Sequence, residues 1–271
     1  MENFIDVKKL ATDCMEQIQE AFQSLNRLNI MVVGKTGVGK STLINSVFRK
    51  SIAETGIGSK STTYIHEHML PDFPLHIVDT VGLELDDKAR KDAIDQIQSE
   101  ISTREITHDF SQLIHCIWYC INAGSDRLEE SEEAFIKSIA SFTQEREIPV
   151  LIVITKAVSN NLKEFIRYIE NRNLGVQHIV PVLAKDFELY NGVILSSYGL
   201  DILVSSTISS LHASLRDTFI SVQKASLKEK IDRARSVIDK FCIVVFGEGF
   251  SPVPMSDIAL WIPTETLMIV G

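Results

Sequence analysis

The segment Gly34-Lys35-Thr36-Gly37-Val38-Gly39-Lys40-Ser41, with Thr42 behind it, constrains this chain more than any other feature. It follows the apolar run Ile30 to Val33 and opens a stretch with helical periodicity over residues 40–49. A strand, a glycine-rich turn and a helix in immediate succession match the spacing G-x-x-x-x-G-K-[ST]. The glycines let the backbone curl until several N–H groups face one anion, and the helix start adds the positive end of its dipole. Lys40 would place its charge on the β- and γ-phosphates of a nucleotide, and the Ser41 hydroxyl would ligate Mg2+. Gly34, Lys35, Thr36, Gly37, Val38, Gly39, Lys40, Ser41 and Thr42 are therefore the expected phosphate contacts.

A second signal supports the first. The apolar strand Leu75-His76-Ile77-Val78 ends in Asp79-Thr80-Val81-Gly82. An acidic group at the end of a strand beside the turn would hold Mg2+ through water, and the Gly82 N–H could sense the γ-phosphate. Alone, D-x-x-G is weak and usually just a turn, but paired with the glycine turn at this distance it is strong.

The rest of the chain alternates strands and helices. Strands are expected over 64–70, 75–79, 112–121, 148–154 and 178–183, and helices over 86–104, 128–143, 159–172 and 200–222. This alternation predicts an α/β fold, a mostly parallel sheet with helices on both faces. Pro71 and Pro74 bracket a tight connection, which predicts one antiparallel hairpin. Helices are also expected at the two ends, one with an apolar stripe from Val7 to Leu28 and one over 224–246. These two could pair with each other or each pack on the sheet. The expected domains are an N-terminal helix over 1–27, a nucleotide-binding domain over 28–212 and a helical extension over 213–271. The final Leu267-Met268-Ile269-Val270 suggests that the natural chain continues.

Composition closes off other classes. The 27 basic and 36 acidic residues give a net charge of −9, which excludes a chain-wide basic surface for nucleic acid, so no DNA is expected. Simple electrostatic attachment to anionic lipid is equally disfavoured. The four cysteines form no CxxC pair and no leader precedes them, so free thiols in a cytoplasmic setting are expected. Trp261, beside Ile258 and Leu260, could touch a membrane or a partner through the C-terminal region.

The residues quoted above resemble the translation-factor-related P-loop GTPases, and within them the Era-like proteins. The loop is similar to that of septins, chloroplast import GTPases and immunity-related GTPases. Asp79 to Glu84, Ile114 to Asn122 and the tail Pro252 to Asp257 resemble a bacterial Era-like subgroup in which an uncharacterised C-terminal domain often follows. The resemblance implies a Ras-like P-loop fold of six strands with the second antiparallel, GTP/GDP and Mg2+ as cofactors, and two switch segments near residues 51–63 and 79–90. It also implies a third Mg2+ ligand at Thr62, with Thr63 a close second. The metal set is then Ser41, Thr62 and Asp79, and the candidate catalytic residues are Lys40, Thr62 and Gly82.

The chain departs from the resemblance in two places. The base-reading motif [NT]-K-x-D becomes Thr155-Lys156-Ala157-Val158. Lys156 can lay its stem over a purine, but Val158 cannot accept from the guanine N1 and N2 groups. That weakens guanine preference by about 1.5–3 kcal/mol and keeps ATP open. Ala184, in Leu183-Ala184-Lys185, could still direct its N–H at the guanine carbonyl, with Lys185 alongside. The second departure concerns hydrolysis. Leu83 stands where a water-orienting glutamine would follow Gly82, and Gly37 stands where some potassium-activated relatives carry an asparagine. Slow turnover is expected, with an effector, an activating protein or a second copy supplying the missing groups. The expected function is a GTP-driven switch, with a scarcely hydrolysing assembly module or an ATPase of the same fold as alternatives.

Two side features point elsewhere. His66 and His68 share a strand face, and an exposed face explains them better than a metal pair. The run Glu129 to Glu133 is expected to be a solvated helix start.

Overall fold

The computed structural model describes residues 25–48, 65–69, 74–80, 87–125, 127–189 and 192–236. Thr62, Thr63, Gly82, Leu83, Trp261 and nearly all of the expected N-terminal helix lie outside the described residues. The chain divides into two units: Arg27–Ser226, and a second drawn from Met1–Asn26 and Leu227–Gly271, within which residues 227–236 are helical.

The first unit is built on a six-stranded sheet. In chain order its elements are β1 (Leu28–Val33), α1 (Lys40–Val47), β2 (Ile65–Met69), β3 (Leu75–Thr80), α2 (Asp87–Ile106), β4 (Cys116–Asn122), α3 (Glu130–Gln144), β5 (Val150–Thr155), α4 (Leu162–Glu170) and β6 (His178–Pro181). A small hairpin of β7 (Phe187–Glu188) and β8 (Ile194–Leu195) and two helices, α5 (Leu200–Ser210) and α6 (Ala213–Val222), complete it. The strand order is β2-β3-β1-β4-β5-β6, parallel except for β2 against β3. This is the Ras-like P-loop arrangement expected from the sequence.

Alternation along the strands sorts the core into two layers. Leu28, Ile30 and Val32 of β1 face one way and Met31 and Val33 the other, yet all are fully buried. A central parallel strand is covered on both faces, which is why β1, β4 and β5 read as unbroken apolar runs. One layer takes Ala93 and Ile97 of α2, Phe135 and Ile139 of α3, and Phe165 of α4. The other takes Leu43 and Val47 of α1, Leu203 of α5 and Phe219 of α6. In this second layer Trp118 stacks on Phe48 at 5.9 Å between ring centroids, meets Phe219 edge-on and donates its indole N–H to Thr207 Oγ1 at 3.2 Å. Cys116 and Cys120, on the same face, are free and fully buried.

One expected helix is two. The apolar pattern over 200–222 is continuous, but the chain breaks at Leu211 and His212. The Ser209 and Ser210 hydroxyls donate back to the Ser206 carbonyl, the Leu211 side chain is buried, and His212 Nδ1 accepts from the Ser214 N–H to cap α6. Side chains that bond to nearby backbone compete with helix continuation, so the hydrophobic period does not reveal the break.

Candidate functional site

The site forms where the sheet's strands end. β1 runs into the glycine turn, and its register sets Val32 beside Asp79 of β3 and Val33 beside Tyr119 of β4. Ligands in open α/β sheets bind at this carboxyl edge.

Gly34 leaves the strand with φ +150°, and a Cβ there would sit 2.5 Å from the Cys120 carbonyl oxygen. The turn can lie flat on β4 only with glycine at this position. Gly37 has φ +74° in open space, and Gly39, with φ 109° and ψ 21°, caps α1. Ser41 and Thr42 begin α1 exposed, so the hydroxyl of Ser41 is open to a ligand. Two lysines brace the turn from either end. Lys40, 8% exposed, donates from Nζ to the Gly34 carbonyl at 2.8 Å and to the Lys35 carbonyl at 3.4 Å. Lys156 donates from Nζ to the Gly37 carbonyl at 2.7 Å, so its stem spans from β5 to the turn.

Thr155 adds a tether invisible in the motif. Its hydroxyl lies 2.5 Å from the Val38 carbonyl and 3.0 Å from the Ile121 carbonyl, and one proton serves both. We expect Thr155→Val to lower nucleotide affinity about 5- to 10-fold while leaving the fold intact, since one buried hydrogen bond contributes roughly 1 kcal/mol. Equilibrium titration with a fluorescent nucleotide checks this, and unchanged affinity would show that the tether does not shape the turn.

Lys35 and the acidic helix start correct one expectation. Glu132 is not solvated: its side chain is only 4% exposed, lies 3.1 Å from the Lys35 ammonium and accepts from the Tyr119 hydroxyl at 3.3 Å. Glu129 reaches the same ammonium at 3.2 Å. Burial pulls the Lys35 pKa down, but the charges and hydrogen bonds of Glu132 and Glu129 outweigh it and hold the amine above its ordinary range. The Lys35 side chain is thus committed to α3, and what it offers an anion is its backbone N–H.

Asp79 carries the clearest sign of a missing partner. Its Oδ1 is buried with no hydrogen-bond partner among the described residues. Burial raises its pKa to about 6, and the positive charges of Lys40 and His66 offset this only in part. Asp79 and Ser41 are hard oxygen donors, and Mg2+ typically takes one or two such groups and completes its shell with phosphate and water. The residues present therefore fit the ion. No cluster of three or more His, Cys, Asp or Glu side chains that could hold a metal occurs among the described residues.

A buried carboxylate without a partner opposes folding wherever it must ionise. The folded pKa lies above the unfolded one, so the cost is full above about pH 6 and vanishes below about pH 4, where both states are protonated. We expect Asp79→Asn to stabilise the nucleotide-free protein by about 1–3 kcal/mol at pH 7 and hardly at all at pH 3.5, while weakening Mg2+-dependent nucleotide binding. Denaturation in chelator at the two pH values tests it, and equal effects at both would contradict the assignment of strain to this carboxylate.

Beside the turn lies an open cavity of about 480 Å³. Gly39, Thr42, Thr155, Lys156, Ala184 and Lys185 line it, as the motifs suggested, and so does Val158, the departure from the base-reading pattern. Asn122, Asp186 and Phe187 also line it and were not anticipated. The last two belong to the segment after β6. Leu183 and Tyr198 exchange backbone hydrogen bonds at 3.0 Å, and the Ser197 N–H donates to Asp186 Oδ1 at 2.7 Å. The turn, the end of β5 and the segment after β6 thus meet at one cavity, Asp79 lies on the strand paired with the one that enters the turn, and Thr62 and Gly82 lie outside the described residues.

Residues 29–156 match the family described as 50S ribosome-binding GTPase. Among curated proteins, a tRNA modification GTPase MnmE of Legionella pneumophila is 34% identical over 92 residues, covering 33% of this chain and 21% of that protein. The MnmE of Neisseria meningitidis serogroup C is 30% identical over 103 residues, covering 37% of this chain and 23% of that protein. The chain thus spans about a fifth of the length of these relatives. Among solved structures, Toc33 from Arabidopsis thaliana aligns with 15% identity and a TM-score of 0.41, covering 76% of this chain and 92% of that one. The G domain of the T. maritima FeoB iron transporter aligns with 15% identity and a TM-score of 0.38, covering 68% of this chain and 98% of that one. The family match over residues 29–156 takes in the glycine turn, Asp79 and the end of β5.

Proposed function

We propose that this chain is a GTP-driven switch of slow intrinsic turnover, in which phosphate contacts at the glycine turn are read out by the segments following α1 and β3. The observation that carries this reading is the pairing of a preformed anion cradle with a buried, partnerless carboxylate. Lys40 is held over the turn by backbone carbonyls, and Asp79 Oδ1 is buried with no hydrogen-bond partner among the described residues. Such a site gains most from a ligand that brings both phosphate charge and a cation.

Each residue has a specific task. The backbone N–H groups of Lys35 to Lys40 and the start of α1 orient the phosphates, and the Lys40 ammonium neutralises developing charge on them. Ser41 and Asp79 would hold Mg2+, together with Thr62 from the segment after α1. When bound, the ion screens the charge between the β- and γ-phosphates. Gly82 would report the γ-phosphate through its N–H.

Turnover is slow in this reading because Leu83 cannot orient water and Gly37 offers no side chain in place of an asparagine. An activating protein or a second copy of the chain would supply the missing group. The Era-like subgroup, the C-terminal domain of that subgroup and a membrane or protein contact through the tail remain part of the proposal. No helix among the described residues is long and apolar enough to cross a membrane.

Phosphate release measured against protein concentration tests the switch. Slow release that accelerates with concentration, or on addition of a partner, supports it. Fast release independent of concentration contradicts it, and GTP binding with no release under any condition favours a static assembly module.

A further inference from the structure

We propose that Asp186 is the guanine-reading carboxylate of this chain, taking from the loop after β6 the role that Val158 cannot fill in the loop after β5. The inference rests on the guanine-nucleotide reading above and adds the residue that sets base choice. Val158 and Asp186 line the same cavity beside the phosphate turn, and Asp186 is its one acidic side chain among the described residues. Guanine presents two donors on one edge, N1–H and the N2 amino group. A carboxylate is the side chain that accepts from both and gives nothing back. The other polar groups of the cavity are less suited. Asn122 Oδ1 already accepts from the Gly124 N–H, and the Ser159 hydroxyl accepts from the Asn161 N–H.

The loop also holds Asp186 in place. Its Oδ1 accepts from the Ser197 N–H at 2.7 Å, and Tyr198, next in the chain, is bridged to Leu183. Oδ2 makes no hydrogen bond among the described residues and is left for a ligand. Phe187 follows at once, lines the same cavity and is 44% exposed, a large aromatic surface available to a purine face.

A purely structural Asp186 would do no more than accept from Ser197, and Asp186→Asn separates the two roles. The amide keeps Oδ1 for the Ser197 N–H and turns the second position from acceptor into donor. A donor there repels the guanine edge and suits the C2 carbonyl of xanthine. With the full chain and Mg2+, we expect Asp186→Asn to weaken GTP binding about 10- to 150-fold, the worth of one charge-assisted hydrogen bond. Binding of xanthosine triphosphate should rise, and the wild-type preference for GTP over inosine triphosphate, which lacks the N2 amino group, should vanish. Phe187→Ala should weaken all these nucleotides alike and leave their ratios unchanged. If wild type binds GTP and Asp186→Asn retains its affinity and its GTP-to-inosine-triphosphate ratio within about 2-fold, the assignment of Asp186 is overturned while the GTP site stands. If wild type binds no nucleotide, both fall together.

Discussion

Lys40→Ala should abolish measurable nucleotide binding at micromolar protein concentration. The ammonium is buried, fixed by two backbone carbonyls, and aimed across the turn where phosphate charge would lie. Truncating one partner of a buried, hydrogen-bonded charge pair costs about 2–5 kcal/mol, roughly 30- to 5,000-fold in affinity. Part of any loss could come from the turn itself, since the Gly34 and Lys35 carbonyls also lose their donor. Lys40→Met divides the two effects: it keeps most of the packing stem but no charge. Both variants should melt within about 1–2 kcal/mol of wild type and both should lose binding. Retained GTP affinity in Lys40→Met would remove Lys40 from the phosphate site.

The second large effect is expected at Gly34. A methyl group there would press to 2.5 Å from the Cys120 carbonyl oxygen, and both sides of that contact are backbone that cannot rotate away. The φ of +150° adds strain for any L side chain. Together these should cost about 3 kcal/mol or more in stability, or else displace the turn from β4 and destroy the anion cradle. Gly37 is the internal comparison. It too has a positive φ, +74°, but a Cβ there meets nothing within 4 Å. Gly37→Ala should therefore cost only the backbone term, about 1 kcal/mol, and bind nucleotide with modest loss. Thermal unfolding and nucleotide titration of the pair would show the contrast, and equal losses at both positions would mean that the approach to β4 does not hold the turn.

The parts of the site that are contiguous in sequence were readable from it. The turn and its helix are local, because the glycines, Lys40 and Ser41 act through their spacing alone. The strands were readable because burial on both faces leaves an unbroken apolar run, as in Val150 to Ile154. Asp79 could be placed because the strand before it is short and ends in a recognisable turn. What escaped depends on tertiary contact. Glu132 sits in an acidic run that composition alone marks as solvated, and only the approach of Lys35 and Tyr119 buries it. The tether from Thr155 to Val38 joins residues far apart in the chain. Phe187 opens a strand of two residues, too short to show alternation, Asp186 directly precedes it, and the loop is folded back by the Leu183–Tyr198 pairing. The break between α5 and α6 was hidden by an apolar pattern that runs straight through it.

The central claim is that the segment from Gly34 to Thr42 and the adjoining cavity form a single guanine-nucleotide site. Calorimetric titration of the full chain with GTP, GDP and ATP, with Mg2+ and with chelator, tests it most directly. The account predicts one site per chain, tighter binding of GTP than of ATP, and weaker GTP binding when Mg2+ is removed. Heats indistinguishable from dilution for all three nucleotides, or ATP bound as tightly as GTP, would contradict it.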